Sequence, residues 1–187
     1  EVSAVGLAVA GFVDQSRSVL RFAPNLPMAD RPLRQVVGDC TGLPVVVEND
    51  ANAAAWGEHR FGGGRGADEV VMITVGTGLG GGIVLGGRLF RGAFGAAAEL
   101  GHTRMVPGGL LCGCGNHGCW EQYASDAALV RAYRERGGQA GAPDSAFSDA
   151  IGIVARAQSG DPRSLDALRE TAGHLALGCV NLIAALN

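Results

Sequence analysis

The pattern of apolar and polar positions along the chain predicts alternating strands and helices at first, and helices alone after residue 120. Apolar runs typical of strands lie at 2–13, 19–23, 44–47, 69–75 and 83–85. Helical spacing is found at 33–37 and at 51–61, and the glycines at 62–64 end the second of these helices. Alternation of this kind favours an α/β fold.

Composition indicates a protein with a folded core, because 47% of the 187 residues are hydrophobic and 18% are charged. The 31 glycines cluster in short runs without the three-residue period of collagen, so they predict several tight loops. The net charge is −3 and the basic residues are scattered, which excludes a basic binding surface. We therefore expect no nucleic-acid partner and no membrane partner.

The two ends of the chain also carry information. No apolar stretch reaches the roughly 18 residues that span a bilayer, and the first residues lack the pattern of a signal peptide, so we expect a cytoplasmic protein. The sequence opens almost directly on a strand pattern and stops within a helical one. This predicts that the chain is part of a longer protein.

A glycine-rich segment at 76–82 separates the predicted strands 69–75 and 83–85. Its residues are Gly76, Thr77, Gly78, Leu79, Gly80, Gly81 and Gly82. Backbone N–H groups in such a segment, together with a threonine hydroxyl, suit a loop that closes around phosphate oxygens. The segment matches neither the pattern that ends in Gly-Lys-Ser/Thr nor the dinucleotide fingerprint. A glycine hairpin without a ligand fits the turn preferences equally well.

The polar run Glu-Asn-Asp-Ala-Asn at 48–52 lies where a predicted strand ends and a helix begins. Rigid elements at such a junction project side chains into a cleft. Asp50 is therefore a candidate general base, able to take the proton from a hydroxyl whose oxygen attacks phosphorus. The alternative is that Asp50 caps the helix, which is the commonest use of Asp in this position.

A histidine and three cysteines form the clearest cluster of candidate metal ligands. Cys112, Cys114 and Cys119 lie within eight residues, and His102 precedes them. Three thiolates and one imidazole make up a closed tetrahedral zinc site, and the spacing leaves either His102 or His117 as the fourth ligand. Glu99 and Glu121 bracket the cluster, so a folded metal loop would hold two carboxylates suited to sugar hydroxyls. For Glu121 the alternative is a solvated residue at a helix start.

Four motifs follow one another along the chain. They are Glu-Asn-Asp-Ala-Asn-Ala-Ala at 48–54, Gly-Thr-Gly-Leu-Gly-Gly-Gly at 76–82, Glu-Leu-Gly-His at 99–102 and Cys-X-Cys-Gly-X-X-Gly-Cys-X-Glu at 112–121. In this order they resemble the ROK family (repressors, open reading frames and kinases) over nearly the whole chain. The run Gly-Cys-Trp-Glu-Gln-Tyr-Ala-Ser at 118–125 is most similar to its actinobacterial-type, ATP-dependent glucokinases.

The resemblance implies an α/β, actin-like ATPase (ribonuclease H-like) fold with a sugar and nucleotide cleft between two lobes. Residues 1–50 would belong to the small N-terminal lobe, and 51–187 to the large lobe with the zinc loop and the C-terminal helices. Asp50 matches the catalytic base that deprotonates the sugar 6-hydroxyl, and 76–83, from Gly76 to Ile83, matches a stretch that contacts ATP phosphates. The residues that match sugar ligands are Asn49, Asp50, Glu99, His102 and Glu121. His102 also matches the family's zinc histidine.

From this resemblance we expect ATP-dependent phosphorylation of a hexose, glucose above all, by a homo-oligomer. Mg²⁺ would come with ATP, and structural Zn²⁺ would orient the sugar site. The alternative is a sugar-sensing transcriptional repressor of the same family. The family's first phosphate loop, Asp-X-Gly-Gly-Thr, and its C-terminal glycine pair are absent from the sequence, so we expect this segment alone to be catalytically incomplete. Ala98 replaces a glycine that is usual before the sugar-binding glutamate.

Overall fold

The computed structural model describes residues 1–23, 26–140 and 146–186, and within them the chain has a mixed α/β architecture. It forms two compact units. The first consists of Glu1–Ile73 and Gly80–Leu100, and the second of Thr74–Leu79 and Gly101–Asn187. The lobe boundary expected at residue 50 stays a prediction.

The first unit contains a parallel pair of strands and a small antiparallel sheet. Its first elements are β1 (Val5–Val9), β2 (Phe12–Val13), β3 (Leu20–Phe22), β4 (Ala29–Arg31), α1 (Leu33–Thr41), β5 (Val45–Asn49) and α2 (Asp50–Phe61). Strands β1 and β5 run parallel, with Val5 opposite Val45 and Val9 opposite Asn49. Strands β2, β3 and β4 form the antiparallel sheet. The sequence pattern did not predict β4, because its three residues are all exposed and show no apolar alternation.

A second sheet of three strands contains the glycine-rich segment. It consists of β6 (Val70–Val75), β7 (Leu79–Leu85) and β8 (Arg88–Leu89), with β7 in the middle. The prediction of a loop as far as residue 82 is therefore wrong, since β7 begins at Leu79. Close packing explains the glycines of this strand: a Cβ on Gly81 would lie 2.7 Å from Leu100 Cγ, and one on Gly82 would lie 3.1 Å from Ala51 O.

Helices dominate the second unit, as the pattern after residue 120 predicts. They are α3 (Glu121–Ala124), α4 (Asp126–Glu135), α5 (Ala146–Gln158) and α6 (Pro162–Leu186). The buried side chains between α4, α5 and α6 are Leu129, Val130, Ala132, Tyr133, Ala150, Ile153 and Ala167. Ser125 caps α4, since its hydroxyl accepts a hydrogen bond from the Ala128 N–H at 3.3 Å. No helix in the described parts of the chain is long and apolar enough to cross a membrane.

Candidate active site and metal centre

The junction of β5 and α2 presents Asn49 and Asp50. The β-branched run of β5 ends at Asn49, which is the N-cap of α2: its Oδ1 accepts a hydrogen bond from the Asn52 N–H at 3.0 Å. Asn49 Nδ2 donates to the Gly11 carbonyl at 3.1 Å. Asp50 is the first helical residue and is exposed, and its Oδ1 accepts a hydrogen bond from the Ala51 N–H. Because Asn49 caps the helix, Asp50 is not needed for that task, contrary to the alternative raised by the sequence.

Two arginines hold Glu48 near the end of β5, and the sequence pattern did not predict either of them. Glu48 is 7% exposed, and its Oε2 lies 2.8 Å from both Nε and Nη2 of Arg91 and 3.3 Å from Arg17 Nε. Burial and the nearby Arg91 charge lower the pKa of Arg17, while Glu48 opposes this shift. In the sequence, the one local sign of these contacts was a glutamate at the end of a β-branched strand, two residues before the candidate base. Its partner Arg91 lies 43 residues away along the chain.

The glycine-rich segment narrows to a turn at Gly76–Gly78, between β6 and β7. The Gly76 N–H donates to the Gly78 carbonyl at 3.0 Å, and the Gly76 carbonyl accepts from the Asp126 N–H at 2.9 Å. The Leu79 N–H donates to Glu121 Oε2 at 3.0 Å. We call residues 76–79 the glycine turn. Its backbone is thus tied to the first residues of α3 and α4, all within the second unit.

The predicted metal ligands lie together. The ligand atoms of His102, Cys112, Cys114 and Cys119 are all within 4.8 Å of one another. His102 Nδ1 lies 3.6 Å from Cys112 Sγ, and the Sγ atoms of Cys114 and Cys119 are 3.7 Å apart. His117 is exposed and its Nδ1 is 3.0 Å from the Gly109 carbonyl oxygen, so the structure gathers His102 rather than His117 with the thiols.

The Nδ1–Sγ distance of 3.6 Å and the Sγ–Sγ distance of 3.7 Å match the edges of a zinc-centred tetrahedron. Zn–S bonds of about 2.3 Å and Zn–N bonds of about 2.0–2.1 Å give tetrahedron edges of about 3.8 Å between sulfurs and about 3.6 Å between sulfur and nitrogen. Tight backbone turns build the cluster. Gly115 and Gly118 have positive φ, and a Cβ on Gly118 would lie 2.7 Å from the Val106 carbonyl carbon. The crowding at Gly118 leaves no room for a side chain, and the positive φ of Gly115 favours glycine there.

The thiols of the cluster differ in acidity. Burial raises the pKa of Cys112, and burial with thiol contacts raises the pKa of Cys119 to about 12. Burial opposes ionisation of Cys114 too, but hydrogen bonds from the Asn116 N–H and the neighbouring thiols outweigh it and lower its pKa. A metal ion bound here would displace thiol protons, so its affinity would fall as the pH falls.

The two glutamates that bracket the cluster have different surroundings. Glu99 is half-buried directly before the short 3₁₀ helix Leu100–His102, and it follows Ala98, whose φ of 67° is left-handed. Glu121 is the first residue of α3 and is also half-buried. Because its carboxylate accepts the Leu79 N–H and lies 3.9 Å from Cys112 Sγ, it is not the solvated residue that the sequence left as an alternative.

The model of the ROK family matches residues 1–187. The chain belongs to the ROK family. Its α/β, actin-like ATPase fold is the one expected from the sequence and is shared with solved ROK structures. A ROK glucokinase from Streptomyces griseus, solved with glucose and AMPPNP, superposes with a TM-score of 0.89 at 50% identity, over 99% of this chain and 62% of that one.

Curated ROK relatives include both enzymes and regulators. A glucokinase of Streptomyces coelicolor is 50% identical in an alignment that covers 97% of this chain and 61% of the relative. A xylose repressor of Bacillus subtilis is 32% identical over 98% of this chain and 45% of its own length. The chain thus spans less than two thirds of the length of these ROK proteins.

Proposed function

We propose that this chain is part of an ATP-dependent glucokinase. The observation that carries the proposal is Asp50, an exposed carboxylate held at the first residue of α2 while Asn49 caps the helix. The relatives at 50% identity are glucokinases, and the Streptomyces griseus structure contains glucose and AMPPNP. A carboxylate on a rigid strand–helix junction suits general-base catalysis of phosphoryl transfer.

In the proposed reaction Asp50 accepts the proton of the glucose 6-hydroxyl as the hydroxyl oxygen attacks the γ-phosphorus of ATP. A new O–P bond forms, the bond from this phosphorus to the β,γ-bridging oxygen breaks, and ADP leaves with that electron pair. Asp50 then releases the proton to solvent. Mg²⁺ carried by ATP would offset the phosphate charge, and the turn at Gly76–Gly78 is the part of the stretch 76–83 that is open to contact the phosphates.

The remaining site residues are proposed to hold the sugar ring: Asn49, Glu99, His102 and Glu121. For Asn49 and Glu121, the structural partners leave polar capacity for a ligand. The Asn49 amide has a second N–H beyond the one given to Gly11, and Glu121 Oε1 is separate from the oxygen that accepts the Leu79 N–H. Glucose hydroxyls that meet these groups would form charge-assisted or neutral hydrogen bonds.

Replacement of the base tests the proposed mechanism in the full-length protein that contains these residues. We expect Asp50→Asn to lower kcat by about 10²- to 10⁴-fold, because it removes proton transfer. Glucose affinity, measured by calorimetry, should stay close to that of the unaltered protein. Asp39→Asn, an exposed position on α1, is the matched control and should leave kcat unchanged. Unchanged turnover in Asp50→Asn would exclude Asp50 as the base.

We also propose that His102, Cys112, Cys114 and Cys119 hold a structural Zn²⁺, which would neutralise the thiolates and fix the imidazole. Cys114→Ser should abolish stoichiometric zinc in the purified chain, measured by atomic emission, because a closed site needs all its ligands. Cys179→Ser, in α6 and outside the cluster, should retain it. Equal zinc content in the two variants would contradict the assignment.

A sugar-sensing repressor is the second candidate, favoured by the 32% identity to the Bacillus subtilis xylose repressor. A catalytic test separates the two functions. Glucose 6-phosphate formation that depends on Asp50 supports the kinase, whereas sugar binding without turnover favours the repressor. A homo-oligomeric state and a cytoplasmic location remain predictions for either function.

A further inference from the structure

The backbone of Leu79, in the glycine turn, contacts residues that lie beside the proposed metal ligands. The Leu79 N–H donates to Glu121 Oε2 at 3.0 Å, and Leu79 is 5% exposed. Gly78, directly before it, is close to the same carboxylate: a Cβ there would lie 3.3 Å from Glu121 Cδ and nearer still to Oε2. A side chain at position 78 would therefore displace the carboxylate from the Leu79 N–H.

Glu121 is at the same time held against the metal ligands. It follows Cys119 by two residues, and its Oε1 lies 3.9 Å from Cys112 Sγ. The peptide between them is fixed, because the Trp120 N–H donates to the Thr103 carbonyl at 2.8 Å. One oxygen of the carboxylate thus lies at a metal ligand and the other at the glycine turn.

The carbonyl group of Leu79, which belongs to the next peptide unit, meets the residue before His102. A Cβ on Gly101 would lie 2.9 Å from the Leu79 carbonyl carbon, so only glycine permits this approach. Gly101 is itself buried. Glu121 thus contacts the N–H of Leu79, and Gly101 contacts its carbonyl. Glu121 lies beside Cys112 and two residues after Cys119, and Gly101 directly precedes His102.

We infer that occupation of the metal centre sets the conformation of the glycine turn, with Glu121 as the positioning residue that connects them. This inference rests on the zinc and phosphate-contact roles given under the proposed function. Loss of the ion would release Glu121 and Gly101 from Leu79, so the turn would lose its fixed backbone N–H directions. Nucleotide affinity would then depend on the metal, in addition to sugar affinity.

Amide hydrogen exchange of the ¹⁵N-labelled 187-residue chain tests the inference without any assay of catalysis. We expect chelation of zinc to accelerate exchange of the Leu79 amide by about tenfold or more, as for loss of a hydrogen bond to a charged acceptor. The Val84 amide, at the far end of β7, serves as a reference for local effects. The Ile153 amide in α5 reports whether the helical unit has unfolded.

Variants of Glu121, measured with zinc still bound, test whether this residue protects the Leu79 amide. Glu121→Ala should expose the Leu79 amide to rapid exchange, and Glu121→Gln, which keeps an acceptor oxygen, should restore part of the protection. Glu135→Ala, an exposed position on α4, is the control and should leave Leu79 protected. If chelation also unprotects Ile153, the metal stabilises the whole helical unit, and the specific link to the glycine turn is overturned.

Unchanged Leu79 exchange in zinc-loaded Glu121→Ala would overturn the inference, as would unchanged exchange after chelation. Zinc content is measured in every sample, so a chain that binds no zinc refutes the zinc assignment instead. Failure of the kinase proposal is recognised separately, through the Asp50 variants.

Discussion

Helix α6 packs against the buried Trp120, so the effect of a glycine-to-alanine change on stability should depend strongly on its position in this helix. Trp120 is 1% exposed, and its indole Nε1 donates to the His174 carbonyl at 2.8 Å, one turn before Gly178 in α6. A Cβ on Gly178 would lie 2.7 Å from Trp120 Cδ2, with two further ring atoms closer still. Gly178→Ala therefore requires the indole or the helix to move.

Two opposing effects decide the sign of this change. Replacement of a helical glycine by alanine stabilises a helix by about 0.5–1 kcal/mol. Overpacking of a filled core destabilises by about 1–3 kcal/mol, and an indole that retreats would also lose its hydrogen bond, worth about 1 kcal/mol. We therefore expect Gly178→Ala to lower the free energy of unfolding by about 1–3 kcal/mol in net terms.

Gly173→Ala in the same helix is the matched control, because an added Cβ there has nothing within 4 Å and the residue is exposed. It should stabilise by about 0.5–1 kcal/mol. Urea unfolding followed by tryptophan fluorescence measures both changes, in a Trp56→Phe background that leaves Trp120 as the only reporter of the two tryptophans. Equal stabilisation by the two alanines would refute the packing argument.

Two further predictions concern the first unit. Ala98 has a φ of 67°, so Ala98→Gly should raise the free energy of unfolding by about 1 kcal/mol, measured by urea denaturation; no gain would show that the backbone there is unstrained. Slight burial opposes ionisation of Asp14, but hydrogen bonds from the Ser16 hydroxyl and the Val19 and Ser18 N–H groups lower its pKa to about 2. Since this folded-state value is below the usual 3.8, Asp14 stabilises above pH 3.8, and this contribution is lost as the pH falls to about 2. Asp14→Asn should flatten the dependence of stability on pH within that window, and an unchanged slope would contradict the assignment.

Local sequence patterns predicted several elements well because their causes are local. The β-branched run before Asn49 and the glycines after Phe61 place β5 and α2 to within one or two residues. Spacing alone also marked Cys112, Cys114 and Cys119 as a group, since few residues separate them. Family resemblance, rather than spacing, selected His102 from the two candidate histidines.

By itself, the sequence determined the α/β class, the strand–helix junction that carries Asp50 and the three cysteines of the candidate metal centre. Tertiary structure decided what the glycines do: those in β7 pack within a strand, which turn preferences cannot reveal because glycine favours loops and close contacts alike. It also decided the partners of Glu48 and Glu121, since Arg91 and Leu79 lie 43 and 42 residues away along the chain. Periodicity describes only neighbours in sequence, and these contacts exist only once distant segments have packed together.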